Sequence, residues 1–216
     1  MNKTLKHALL TASALAVAAS GQAGQYLSGD LLVGFAGGTS DYIYDLGQVG
    51  SLYQGETWNV GANQGTQFGV VGALLHGQTA FIYATSAASD QNGFDPSNLY
   101  GPARNNVATL AGGTTALTAG GYRTAAPGDT TGWTYQTVTV QPGYTFQNNF
   151  DNPNADVSAA AYLFQDSNDG TVLGIGRFNY DSVGGSLTFV PEPATCSLLT
   201  SFGLLALIMR RQLNKA

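Results

Sequence analysis

The sequence predicts an all-β domain, a β-sandwich or jelly-roll-like antiparallel domain, flanked by an N-terminal signal helix and a C-terminal transmembrane helix. Three observations predict this arrangement. Short apolar or alternating runs recur about every ten residues and are separated by turn residues, as in antiparallel β domains. Charged residues make up only 10% of the chain and glycines number 29, a composition typical of β-rich exported proteins. Both chain ends carry an apolar segment beside basic residues.

The first residues have the three parts of a secretory signal peptide. Lys3 and Lys6 give a basic start, residues 8–19 an apolar core, and Gly21-Gln22-Ala23 the small residues of a site cleaved after Ala23. The chain therefore divides into a signal peptide (1–23), an exported β-sandwich domain (24–189) and a C-terminal segment (190–216).

Hydrophobic periodicity predicts the elements of the exported domain. Strands are expected at residues 31–35, 41–46, 79–84, 134–140, 157–164, 171–180 and 186–190, and a further β segment opens at residue 58 and continues to residue 75. The alanines of residues 157–164 also allow a helix there. The strict alternation of residues 134–140 predicts a strand with one polar face. Residues 86–106 are polar and predict a long loop. A short helix near residues 98–110 is an alternative, because Pro96 and Ser97 are suitable helix starters. Residues 111–129 show no defined pattern.

The exported domain is acidic. Three arginines, Arg104, Arg123 and Arg177, stand against twelve Asp and Glu residues between residues 24 and 190, which gives a net charge of −9. Phosphate backbones repel such a domain, so we expect no nucleic-acid partner. The single cysteine, Cys196, lies in the C-terminal apolar run, so the domain has no internal disulfide.

Side chains that commonly carry catalysis are scarce in this domain. His76 is its one histidine, and neither a Gly-x-Ser-x-Gly motif nor zinc-ligand spacing accompanies it. The oxygen-rich run Asp166–Gly170 lacks the spacing and the distal glutamate of an EF-hand. We therefore expect no enzyme activity, no cofactor and no metal site.

Two carbohydrate-linked alternatives stay open. A carbohydrate-active hydrolase would need two carboxylates that the fold brings together. The candidate carboxylates are Asp41, Asp45, Glu56, Asp90, Asp95, Asp151 and Asp156. A carbohydrate-binding module would instead stack a sugar ring on Trp58 or Trp133.

The C-terminal segment predicts a membrane anchor. Residues 196–209 form an apolar run of 14 residues, and Arg210 and Arg211 follow it directly. At about 1.5 Å per residue the run covers about 21 Å of a hydrocarbon core of about 30 Å. Extension through residues 194–195 and snorkelling of the two arginines would make it a span. Basic residues at both chain ends place the termini inside and the acidic domain outside.

The C-terminal segment resembles the PEP-CTERM sorting signal of Gram-negative bacteria that make exopolysaccharide. The residues that carry the resemblance are Val190-Pro191-Glu192-Pro193-Ala194-Thr195, followed by the apolar run and the arginines. In this resemblance Pro191, Glu192 and Pro193 are the motif, residues 194–209 the transmembrane helix, and residues 210–216, with Arg210 and Arg211, the basic tail that stops transfer. The resemblance covers only the last segment of the chain, so it bears on sorting. Cys196 is a departure from the family pattern, because an aromatic or other residue is common at its position, but it leaves the resemblance intact.

The resemblance implies how the chain is processed. Exosortase, a membrane-embedded cysteine transpeptidase, is expected to cut near the motif and to release or transfer the protein, after signal peptidase has removed the first segment. The protein is then expected to stay transiently in the inner membrane with its domain in the periplasm, before it reaches the cell surface or the extracellular matrix. We expect a non-enzymatic structural or interaction role there, with extracellular polysaccharide as a candidate partner.

Overall fold

The structure is a computed structural model, and it describes residues 28–52, 55–89, 100–112, 117, 119–138, 152–167 and 171–192. The predicted signal peptide with Ala23, the residue Pro193, the predicted transmembrane helix, and the basic tail with Arg210 and Arg211 lie outside these residues. Within the described residues, no helix combines the length and the apolar character that a membrane crossing requires.

The described part of the chain is built mainly of antiparallel β-strands. The strands are β1 (Asp30–Ala36), β2 (Asp41–Gln48), β3 (Thr57–Asn59), β4 (Gln67–His76), β5 (Thr79–Ser86), β6 (Tyr122–Ala125), β7 (Ala155–Asp156), β8 (Ala161–Ser167), β9 (Val172–Asp181) and β10 (Ser186–Pro191). The helices are α1 (Tyr100–Leu110), α2 (Trp133–Thr137) and a 3₁₀-helix over Val49–Ser51. The strands form one sheet in the order β3-β10-β9-β8-β5-β4-β1-β2-β6, with β7 paired to β4.

The sheet is strongly curled. Phe35 on β1 and Tyr180 on β9 lie four strand positions apart in the sheet order. In a flat sheet that separation would be about 19 Å, since neighbouring strands lie about 4.8 Å apart. Their ring centroids are instead 4.8 Å apart. The register shift between Leu163 and Phe164, in the pairing of β8 with β9, lies on this path, and such bulges increase local bending.

Alternation along the curled strands produces two cores. The inner face carries Leu31, Val33, Phe35, Phe68, Val70, Leu163, Phe178, Tyr180, Leu187 and Phe189. The outer face carries Leu32, Ile43, Val71, Ile82 and Phe164, together with Val107 and Leu110 from α1 and Trp133 from α2. Helix α1 packs on β4 and β5, and α2 packs on β1 and β2. The inner face is therefore covered by the sheet itself and the outer face by the two helices.

The expectation of an antiparallel all-β domain is confirmed, but the strands do not divide into two hydrogen-bonded sheets as in a sandwich. A single sheet curls until its own arms face each other. The reason is the pairing of strands distant in sequence: β1 pairs with β4, and β3 pairs with β10. Such pairings depend on the whole inner core and leave no local pattern in the sequence.

Two local predictions are corrected. Residues 134–140 were expected to form a strand, whereas Trp133–Thr137 is the helix α2. Tertiary contacts override the alternating pattern here, because Asp41 accepts hydrogen bonds at the start of the helix and Trp133 packs into the outer core. The strand expected from residue 157 begins at Ala161, because Asp156 accepts a hydrogen bond from the amide of Ser158 and forms a turn.

The remaining element predictions agree with the structure more closely. Of the two alternatives for residues 98–110, the short helix is the one present, as α1, so the loop expected over residues 86–106 is helical from Tyr100 onward. β1 with β2 and β9 with β10 pair as antiparallel neighbours. Residues 111–129, for which no pattern was found, contain the edge strand β6.

Candidate functional site: the pocket beside Pro191 and Glu192

A pocket of about 230 Å³ lies on the outer face of the sheet where β8, β9 and β10 run side by side. Its lining residues are Tyr162, Arg177, Val190, Pro191 and Glu192. Two of these residues, Pro191 and Glu192, belong to the Pro-Glu-Pro motif that the sequence singled out. The pocket therefore joins the body of the domain to the start of the C-terminal segment.

Strand register brings three of the lining side chains into one row. Tyr162 on β8 lies opposite Arg177 on β9, and Arg177 lies opposite Val190 on β10. Residues directly opposite one another in an antiparallel pair point to the same face of the sheet. Arg177 is exposed, whereas Tyr162 and Val190 are half-buried. The row thus presents a cation between an aromatic and an aliphatic wall.

Glu192 completes the pocket next to this row. A Cβ added at Gly174 would lie 3.7 Å from Cγ of Glu192 and 3.8 Å from the ring of Phe164, so the Glu192 side chain lies over the glycine. The amide of Glu192 donates a 3.0 Å hydrogen bond to the carbonyl of Ile175. The backbone bond to β9 and the contact over Gly174 hold Glu192 against the sheet.

Pro191 is the last residue of β10 and lies opposite Gly176 of β9. Proline has no amide to donate to a sheet, and it is found at strand ends and edges for that reason. The first two residues of the motif are therefore held by the sheet through β9. The third, Pro193, lies outside the described residues.

The two tryptophans considered for sugar stacking lie in the cores. Trp133 is 0% exposed, and its indole Nε1 donates a 2.8 Å hydrogen bond to Oδ1 of Asn154. Trp58 is half-buried against the inner core, with its ring centroid 6.1 Å from that of Phe178. Trp133 therefore offers no ring face to a ligand in this structure, and Trp58 offers only part of one.

A buried polar network fixes α2 to the sheet. Asp41 is 0% exposed and accepts hydrogen bonds from the amide of Thr134 at 2.7 Å and from its hydroxyl at 2.5 Å. Arg123 donates to the carbonyl of Leu110 at 2.8 Å and also bonds Thr131. Burial raises the pKa of Asp41, while the bonds from Thr134 and the charge of Arg123 oppose that rise. These groups connect β2, β6 and both helices, so their role is structural.

Among the carboxylates considered for a hydrolase, Asp45 is the one whose pKa rises most clearly. Burial raises the pKa of Asp45 to about 6, the bond from the Gly47 amide lowers it, and the nearby charge of Asp30 raises it. The Asp45 side chain is 1% exposed and the Asp30 side chain is 5% exposed. Oδ1 of Asp45 accepts the Gly47 amide at 2.7 Å, and Oδ2 is buried without a hydrogen-bond partner. Because both groups are buried, they do not line a cleft that could admit a glycan.

Of the other candidate residues, Asp90, Asp95 and Asp151 lie outside the described residues, and His76 and Asp156 lie at different turns. His76 is exposed at the end of β4, where the chain turns into β5. Asp156 is the last residue of β7, where the turn toward β8 begins, and its pKa is lowered by the hydroxyl and the amide of Ser158. Within the part of the chain that the structure describes, no group of three or more His, Cys, Asp or Glu side chains is placed to hold a metal ion.

Sequence reasoning did not single out Tyr162 or Arg177. They lie 15 positions apart in the sequence, and only the pairing of β8 with β9 places them side by side. One signal was present in the sequence, because Arg177 is one of only three cations in a domain of net charge −9.

No protein-family model matches the chain, and neither the curated proteins nor the solved structures contain a match.

Proposed function

We propose that the chain is an exported, exosortase-sorted protein of the cell surface or extracellular matrix of an exopolysaccharide-producing Gram-negative bacterium. Its role there is structural or interactive rather than enzymatic. The observation that carries the proposal is the order Pro191-Glu192-Pro193, apolar run, Arg210-Arg211 at the end of a chain whose first residues match a signal peptide.

The position of the motif supports this proposal. Pro191 ends β10, and Glu192 makes the last described hydrogen bond to β9. The buried hydrophobic side chains of the described residues end at Phe189. A cut near the motif would therefore remove no described core residue and would leave the curled sheet intact. A sorting signal of this kind needs such a boundary, because the released domain has to remain folded.

The finer fold class is part of the proposal. The two arms of the curled sheet face each other through Phe35 and Phe68 on one side and Tyr180 on the other. This inner layer is sandwich-like in its packing. We propose that the domain lies between a signal helix and a transmembrane helix and that signal peptidase and exosortase process the chain. The protein stays transiently in the inner membrane, and extracellular polysaccharide is its partner after release.

Fractionation of the native host tests the proposal. The domain is expected at the cell surface or in the medium when exosortase is active, and in the membrane fraction when the exosortase gene is deleted. Replacing Arg210 and Arg211 by alanine should reduce retention in the membrane before cleavage, because the run of 14 apolar residues is short for a bilayer. Equal distribution with and without exosortase would overturn the proposal.

A further inference from the structure

We propose that the pocket formed by Tyr162, Arg177, Val190, Pro191 and Glu192 binds the phosphoethanolamine headgroup of a bilayer lipid while the chain is anchored. This inference rests on the proposed membrane insertion of residues 194–209. The occupant is a zwitterionic lipid, with its phosphate at Arg177 and its ammonium at Glu192.

Covalent geometry places the pocket near the headgroup layer. Ala194, the first residue of the proposed span, is two residues beyond Glu192. Two trans peptide units separate Cα atoms by at most about 7.6 Å. The headgroup region on each side of the hydrocarbon core is about 5–8 Å thick. When Ala194 lies at the edge of the hydrocarbon, Glu192 therefore lies among or just above the headgroups, whatever path the chain takes between them.

Arg177 supplies the contact for the phosphate. Of the three arginines in the domain, Arg123 is engaged with Leu110 and Thr131 inside the fold. Arg104 is exposed on α1, which packs over β4 and β5. Arg177 is exposed in the pocket itself. A guanidinium group matches two phosphate oxygens with parallel N–H donors, which a single ammonium group cannot do.

The remaining lining residues favour a headgroup with both charges. The Glu192 carboxylate at the pocket wall attracts an ammonium group and disfavours a headgroup of purely negative charge. The net charge of −9 over the domain acts in the same direction, because it opposes an anionic lipid. Tyr162 adds an aromatic ring with a polar tip, a side chain enriched at membrane interfaces. Phosphoethanolamine is complementary in charge to both Arg177 and Glu192 and carries no net charge of its own.

Weak contacts are sufficient in this setting. Exposed ion pairs contribute little when both partners are free in solution. Here the anchor holds the pocket within reach of many headgroups, so the effective concentration of the ligand is high and little further freedom is lost on contact. The headgroup would orient the domain relative to the bilayer and keep the motif at a fixed depth until it is cut.

The test uses the full chain in nanodiscs that contain equal amounts of phosphatidylethanolamine and phosphatidylglycerol. Native mass spectrometry of the released protein counts the lipids that stay bound. Wild type should retain phosphatidylethanolamine in preference, and Arg177→Gln should lower its retention by about tenfold, the loss expected for one charge-assisted contact. Arg104→Gln is the matched control, because it removes the same charge on α1 and should retain lipid as wild type does. Glu192→Gln should retain lipid without the preference for phosphatidylethanolamine.

The outcomes separate this inference from the proposed function. Equal retention by wild type and Arg177→Gln in chains that insert normally would overturn the headgroup site alone. Recovery of the chain outside the nanodisc would overturn membrane insertion and the headgroup site together. Tight binding of soluble phosphoethanolamine to wild type would point to a free ligand and would overturn the assignment to a lipid.

Discussion

The hydroxyl of Tyr180 donates a 2.7 Å hydrogen bond to the carbonyl of Gly61, which joins β9 to the segment that follows β3. The same segment is held by backbone bonds from Val60 to Gly185 at 2.9 Å and from Asn63 to Ser182 at 2.9 Å. The Tyr180 ring meanwhile packs on Phe35, across the inner core. Tyr180 therefore stabilises the curled shape of the sheet in two directions at once.

Removing the hydroxyl and removing the ring should have separate effects. Tyr180→Phe should lower the free energy of unfolding by about 1 kcal/mol, since one partly buried hydrogen bond is lost. Tyr180→Ala should lower it by about 3–5 kcal/mol, because a cavity opens in the inner core. Urea denaturation measures both values. Tyr122→Phe is the control, because Tyr122 is 63% exposed and its loss of a hydroxyl should leave the unfolding free energy unchanged. Equal values for Tyr180→Phe and Tyr180→Ala would contradict this account of the core.

Gly34 is expected to be essential for the docking of α2. A Cβ at Gly34 would lie 1.9 Å from the ring of Trp133, which is fully buried. Gly34→Ala should therefore displace the indole and lower the free energy of unfolding by about 1–3 kcal/mol. Tryptophan fluorescence should shift to longer wavelength as Trp133 meets water. Gly50→Ala is the control, because a Cβ there meets no atom within 4 Å. An unshifted spectrum in Gly34→Ala would show that the ring does not pack as described.

Asp45 should make stability depend on pH in a defined direction. Its pKa is raised from 3.8 to about 6 in the folded protein, so between these values the unfolded chain ionises first. The contribution of Asp45 to the free energy of unfolding is thus greatest in acid and falls as the pH rises from about 4 to about 6. The loss is on the order of 1–3 kcal/mol.

Comparison with Asp45→Asn isolates this effect from the other carboxylates. The pKa values of Asp129 and Asp156 are lowered by hydrogen bonds, so those groups favour the fold at higher pH and act in the opposite direction. The difference in unfolding free energy between wild type and Asp45→Asn, measured by urea denaturation from pH 4 to pH 7.5, should decrease with pH and level off above about 6. A difference that does not change with pH would show that Asp45 stays ionised in the fold.

Local patterns in the sequence predict the elements that local chemistry determines. Glycine-bounded apolar runs correspond to β1, β4, β5, β9 and β10, and the short helix that Pro96 and Ser97 allow corresponds to α1. The alternation of polar and apolar residues over 134–138 led to a wrong strand prediction, because this pattern describes side-chain spacing alone. The helix there depends on Asp41, which is 93 positions distant from Thr134. No local pattern could reveal that contact.

The candidate site was predictable only in part. Pro191 and Glu192 were evident from their motif, since the motif is contiguous in the sequence. Tyr162 and Arg177 reach the same pocket through the register of β8, β9 and β10, which long-range pairing determines. Trp133 looked suited to sugar stacking because tryptophan is rare and amphipathic. Its ring is instead buried in the outer core, in the space that Gly34 leaves by having no side chain. Composition identifies residues capable of a role, and packing decides which of them can reach a ligand.

The intact mass of the mature protein, purified from its native host, tests the central proposal most directly. The account predicts a chain that begins at Gly24 and ends near Pro191–Pro193, without the apolar run and without Arg210 and Arg211. A mass that corresponds to a chain ending at Ala216, in cells with active exosortase, would contradict it.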